Sequence, residues 1–220
     1  MADRRLLMVG TLAHDAEEVY ETALLLGYDP LFLVFPGQHP PPVGSWYALE
    51  DTPKELRHHP ATIARAPQWS DLVDLRIDAH WRARLERQVR AAGQSGVNNW
   101  LALMHPSAAV SISAGLDQGV FVGPLTSISS STEVGEFTRF GRGTHIGHHV
   151  SIGAYCHFGP GVVVPSGVVI GRGVTVGPGA VFINDVVVGD DCLIAAGSVI
   201  TKNVPAGSFV LGNPGRVRGR

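Results

Sequence analysis

The sequence predicts an α/β domain followed by an all-β parallel solenoid, and three observations carry that reading. Of 27 glycines, only 6 lie in residues 1–105, and 21 follow. All four tryptophans, Trp46, Trp69, Trp81 and Trp100, lie in the first part. From Val110 to Ile200 every sixth residue is bulky and apolar, sixteen in succession without an insertion.

The repeat has internal grammar. Four residues after each bulky position stands a small or β-branched one, from Ala114 through Thr126, Thr132 and Cys156 to Val204. Glycine fills nine of the sixteen positions directly after the bulky residue, as in Gly135, Gly141, Gly147 and Gly153. A helix cannot use a strict period of six, because its apolar face rotates away at each repeat. Short strands can, with a bulky and a small residue both pointing inward and glycine-rich corners turning the chain. One such unit cannot bury its own apolar face, so stability requires coils stacked on one another. Three hexads per coil give about five coils, roughly 25 Å of solenoid at the usual strand spacing.

Composition narrows the function. The 220 residues are 45% hydrophobic and 16% charged, with a formal net charge of −2. That balance excludes a disordered chain and provides no electrostatic footprint for nucleic acid or a polybasic membrane surface. Apolar runs such as Leu6 to Val9 and Val162 to Val164 fall far short of a bilayer span. A soluble, cytoplasmic protein is expected. Two cysteines, Cys156 and Cys192, offer no Cys-based metal framework and fall in inward slots, as core residues.

In the first part, Arg4 to Gly10 reads as a buried strand and Ala16 to Leu26 as a helix with Val19, Ala23 and Leu26 on one side. Pro30 to Phe35 is a second strand, and the prolines of His39 to Gly44 make a stiff loop. Leu72 to Ile77 is a third strand, followed by a charged helix from about His80 to Ala92. Trp100 to Met104 is a fourth. Strands alternating with helices imply a small, Rossmann-like parallel sheet. The boundaries are 1–104 for this domain, 105–205 for the solenoid and 206–220 for a C-terminal tail.

The hexads, the closing segment Ile194-Ala-Ala-Gly-Ser-Val-Ile-Thr-Lys-Asn-Val-Pro205 and the tail Val210-Leu-Gly-Asn-Pro-Gly-Arg216 resemble the hexapeptide-repeat acyltransferases. The resemblance implies a left-handed parallel β-helix, a hand that the general rule for parallel crossovers would not give. With the junction His105-Pro-Ser-Ala108, the chain looks like the bacillosamine- and sialic-acid-type sugar O- and N-acetyltransferases. There the first domain holds a nucleotide-linked amino sugar, through a glycine-rich loop after strand one and acids after strand two. Here the loop keeps Gly10 and His14, the candidates for substrate binding, but lacks the later glycines. Asp15, Glu17 and Glu18 occupy the helix start, where carboxylates compete with an anionic ligand for the same N–H groups. Phe35-Pro-Gly37 supplies no acid after strand two. These departures argue against a nucleotide-sugar acceptor.

The resemblance also implies the site. The family's base is the His of a His-acid-x-x-Ile-Gly segment, with a second His nine residues on. Here the segment is His148-His-Val-Ser-Ile-Gly153, which makes His148 the base, puts His149 in place of the acid, and makes His157 the second His, positioning acyl group or acceptor. Histidine suits this task because it is neutral near pH 7 and accepts a proton. The family's oxyanion donor corresponds to a backbone N–H around Pro165, Ser166 and Gly167. The pantetheine arm of acetyl-CoA, or of another acyl-CoA, follows Ala196 and Gly197, and Lys202 and Arg216 are the candidates for the CoA phosphates. A homotrimer is implied, because each CoA groove of the family lies between two β-helices. No metal is expected. A zinc carbonic anhydrase on the same fold finds no matching His spacing, and a non-catalytic scaffold would not need the CoA-like tail. The acceptor is expected to be a sugar or other small molecule, with an amino acid or natural-product precursor as the alternative.

Overall fold

Residues 5–10, 16–27, 29–34, 71–74 and 101–218 are described by the computed structural model. The chain divides into two units, Met1–Leu101 and Ala102–Arg220.

In the first unit the described elements are β1 (Arg5–Gly10), α1 (Ala16–Leu25), β2 (Asp29–Val34) and β3 (Asp71–Asp74). The strands form a parallel sheet in the order β2-β1-β3, with Arg5 opposite Asp29 and Leu6 opposite Asp71. Parallel neighbours require a crossover, and α1 supplies the one between β1 and β2. Val19, Thr22 and Ala23, at i, i+3 and i+4, are fully buried, while Leu24 and Leu25 are exposed. The Thr22 hydroxyl donates to the Glu18 carbonyl at 2.7 Å, which satisfies it inside the packed face. Gly10 ends β1. His14, the His39–Gly44 loop and the helix expected over His80–Ala92 lie outside the described residues.

The second unit is a parallel β-solenoid of about six turns. Two-residue strands stack into three faces at an offset of 18 residues. The first face carries Met104, Val122, Phe140, Phe158, Val176, Ile194 and Val210; the second runs from Val110 to Ile200, and the third from Leu116 to Val188. Bulky side chains fill the interior. Phe140 and Phe158 are fully buried, with ring centroids 5.0 Å apart. The threonines of the small slots bury a hydroxyl without stranding it. Thr126, Thr132 and Thr138 donate to the carbonyls of Gly141, Gly147 and Gly153 at 3.0, 2.8 and 3.0 Å. Among the described residues no helix is long and apolar enough to cross a membrane.

Four sequence expectations change. The solenoid is longer than five coils, because Leu103–Met104, expected as the last strand of the first domain, pairs with Phe121–Val122 as a rung of the first face. The tail also rejoins it: Phe209–Leu211 pairs with the first face, and Arg216–Arg218 folds back antiparallel. The last turn is two residues short, so Ile194 pairs with Val210 and Val204 aligns with Val188 in a bulky slot, not a small one. Finally, the glycines after the bulky residues do not turn the chain. A Cβ on Gly147 would lie 2.6 Å from Ser166 N, so glycine there admits the next coil's backbone. The turning residue is two places on. From Gly119 to Gly197 every such residue has a positive φ, as type II turns require. Seven of them, including His149 and Tyr155, are not glycine.

Candidate active site

The edge between the second and third faces is built by the corner that joins His145–Ile146 to Ser151–Ile152. Gly147 lets the next corner, Ser166-Gly167, pack close. His149 N–H donates to the Ser130 carbonyl at 3.1 Å, and Gly167 N–H donates to the His148 carbonyl at 3.2 Å. The corner is thus pinned from both sides by backbone bonds, and both imidazoles project from it into solvent.

Consecutive side chains of an extended strand point apart. At residue 149 a φ of 54° brings them together. The Nδ1 atoms of His148 and His149 are 2.9 Å apart, with ring centroids 5.1 Å apart and planes nearly perpendicular. Along the edge His148 lies in one column with Ser130, Ser166 and Asn184, and the Asn184 amide donates to the Ser166 carbonyl at 3.3 Å. Ser166 N–H meets no protein acceptor among the described residues, whereas Gly167 N–H is spent on His148. Of the two N–H groups in the loop where the donor is expected, only that of Ser166 is left over among the described residues.

His145, the residue before the corner strand's apolar member, is exposed, and its Nδ1 is 2.8 Å from the Ser127 hydroxyl. His157 lies elsewhere. It opens the rung His157–Phe158 on the first face, in register with Arg139 and Thr175. That face is opposite the His148 edge of a three-sided prism, so one chain does not bring the two histidines together. Arg139, in an outward slot, is 3% exposed, and its guanidinium lies 5.1 Å from the Phe121 ring centroid. The sequence reading missed it, because outward slots are ordinarily solvated. Its one available signal is the aromatic residue 18 places earlier.

Ala196 and Gly197 are exposed on the edge between the first and second faces. The second face, with outward Val163, Val181 and Val199, separates them from His148. Lys202 is exposed at the end of the second face, and Arg216 is exposed on the returning strand. Cys156 is buried, its Sγ donates to the Gly171 carbonyl at 3.0 Å, and burial pushes its thiol up to about 11. It is a core residue and not a nucleophile.

Three parallel faces closed by six-residue repeats define a hexapeptide-repeat β-helix. Residues 131–166 and 167–202 match the family described as bacterial transferase hexapeptide (six repeats), and residues 149–184 match the hexapeptide repeat of succinyl-transferase. The chain resembles the sugar acetyltransferases of the left-handed β-helix type. It is similar to a mutant perosamine N-acetyltransferase from Caulobacter crescentus, solved in complex with CoA and GDP-perosamine. The identity is 26%, 97% of each chain is covered, and the TM-score is 0.79. It is also similar to the acetyltransferase domain of PglB from Neisseria gonorrhoeae FA1090, at 25% identity, with 98% of this chain and 100% of that chain covered and a TM-score of 0.77. WeeI from Acinetobacter baumannii AYE shares the fold, at 20% identity over 97% of this chain and 100% of that chain, with a TM-score of 0.79. No curated protein matches the chain.

Proposed function

We propose that the protein is an acyl-CoA-dependent acyltransferase that moves an acetyl group to an amine or hydroxyl of a sugar. The observation that carries this reading is the likeness over 97% of both chains to a perosamine N-acetyltransferase that holds CoA and a nucleotide-linked amino sugar. That relative weakens the sequence argument against a nucleotide-sugar acceptor, which rested in part on segments outside the described residues. In this reading the first unit is a small Rossmann-like acceptor domain, with Gly10 and His14 at its site, and the protein is cytoplasmic.

Transfer is direct, through a ternary complex. His148 takes the proton from the acceptor amine or hydroxyl as its lone pair attacks the thioester carbonyl. The carbonyl becomes a tetrahedral oxyanion, held by the Ser166 N–H. Collapse breaks the C–S bond, and CoA leaves as the thiolate, which recovers the proton from His148. Histidine needs no large pKa shift for either step, and a fixed N–H at the developing charge needs no reorganisation. Acyl-CoA follows the second face, past the outward valines towards Ala196 and Gly197, with Lys202 and Arg216 near its phosphates.

A homotrimer completes the site in this reading. Val163, Val169 and Val187 are 36%, 42% and 44% exposed on the faces that flank the His148 edge, an apolar surface that a second copy would cover. Because His157 lies opposite His148 in one chain, its positioning role belongs to a neighbouring copy. A mass-spectrometric screen of acyl-CoAs against nucleotide-linked amino sugars, free sugars and amino acids tests the assignment, with sedimentation analysis for the trimer. Transfer to amino acids alone would overturn the sugar reading. Absence of any acetyl-CoA binding would overturn the enzyme.

A further inference from the structure

A hydrogen bond between two imidazole Nδ1 atoms needs a single proton between them. At 2.9 Å, His148 and His149 have two ways to supply it. Either His149 donates, which leaves the Nε2 of His148 protonated and unable to act as a base. Or His148 donates, which leaves its Nε2 bare. We infer that His149 is the positioning residue of the base: its Nδ1 lone pair accepts the Nδ1–H of His148 and holds His148 in the tautomer with a free Nε2. This rests on the reading of His148 as the base. It accounts for the histidine that stands where the resembled family carries an acid.

The backbone explains why a histidine can do this. Residue 149 sits at a φ of 54°, a conformation in which His, Asn and Asp are enriched. The turn folds its ring against its neighbour's, and no carboxylate hydrogen-bonds to either ring among the described residues. The nearby titratable groups are engaged or directed elsewhere. His145 is bonded to Ser127, Glu133 folds against Gly115 in the outward slot beside Ser151, and the Asp185 carboxylate, two coils on in the same column, folds over Gly167.

When Nε2 of His148 accepts a proton, its Nδ1–H still points at the Nδ1 of a neutral His149, so the base can take up and return the acceptor's proton without breaking the pair.

Ring-nitrogen NMR of the full chain tests this without knowledge of the acceptor. Native His148 should carry its proton on Nδ1. His149→Gly, which suits the positive φ and so should keep the thermal midpoint, should move it to Nε2. His149→Asn, whose side-chain oxygen also accepts, should restore the native tautomer. With acetyl-CoA and GDP-perosamine as the probe pair, His149→Gly should lower kcat by about tenfold or more with KM unchanged, and His149→Asn should recover most of it. A native His148 tautomer in the Gly variant overturns the inference and leaves the base assignment standing. His148→Ala with native turnover removes the base assignment itself.

Discussion

The carbonyl of His148 accepts the N–H of Gly167 at 3.2 Å, so the backbone of one corner is tied to the next through the candidate base itself. The bond consumes one of the two N–H groups in the loop where the oxyanion donor is expected, and leaves that of Ser166. The tie also means that a shift in either corner is felt at the imidazole pair.

Ser166 stands at the second position of its turn, where Pro124, Pro160 and Pro178 stand in other turns. Proline suits that position and lacks the N–H. Ser166→Pro should therefore fold, with its thermal midpoint preserved, and lose about a hundredfold or more in kcat with little change in KM. Native turnover would place the oxyanion donor elsewhere.

His148→Ala should cost at least about a hundredfold in kcat. The variant should still bind acetyl-CoA by calorimetry, because the ring acts on the acceptor proton. A loss of CoA binding of similar size would mean that His148 is a binding residue instead.

Gly147→Ala places a methyl carbon 2.6 Å from Ser166 N, backbone that cannot rotate away. Urea unfolding should show a loss of about 1–3 kcal/mol, the range of overpacking. Activity should fall as well, since the clash pushes apart the two corners that form the site. Gly143→Ala is the control, because a Cβ there meets nothing within 4 Å; its φ of 63° leaves backbone strain alone.

Cys156 carries a thiol raised to about 11 from an ordinary 9.0, with burial the largest cause. An acid whose folded pKa is raised stays protonated in the native state while the unfolded chain ionises. Its stabilising contribution is complete below pH 9 and is lost as the pH climbs towards 11. The unfolding free energy from urea titrations should therefore fall over that window by more in the native protein than in Cys156→Val, by up to about 2–3 kcal/mol. Cys156→Ser should retain turnover. Reaction of the folded protein's Cys156 with a thiol reagent at neutral pH would contradict its placement.

The solenoid was legible in the sequence because each hexad repeats one local decision: a bulky residue such as Ile146 faces in, and the outward residue before it does not. Such a pattern needs no long-range information to be recognised, and even the threonines of the small slots keep to it. Where the pattern ends, legibility ends too. Val204 fits the small slot by count, yet the last turn drops two residues, and pairing with Val188 moves it into a bulky one. The role of the glycines is hidden in the sequence for a related reason. Gly147 shows its purpose only when the next coil lies beside it, 18 residues away, whereas the turn itself is made by residues as large as Tyr155.

The site divides along the same line. The residue types and spacing of His148, His149 and His157 were present in the chain, and so were the loop of Ser166 and the closing segment. The sequence by itself determined a stack of six-residue units and which residues face outward, since both follow from a period of six and the burial of apolar side chains; that three units close each coil is seen in the pairing at an offset of 18. Only the tertiary structure decided that His148 and His149 share a hydrogen bond, that Gly167 spends its N–H on His148 while Ser166 does not, and that His157 faces the opposite way. Those facts depend on the hand of each corner and on which coil stacks over which, and no residue carries that information until its neighbour 18 places on is set against it.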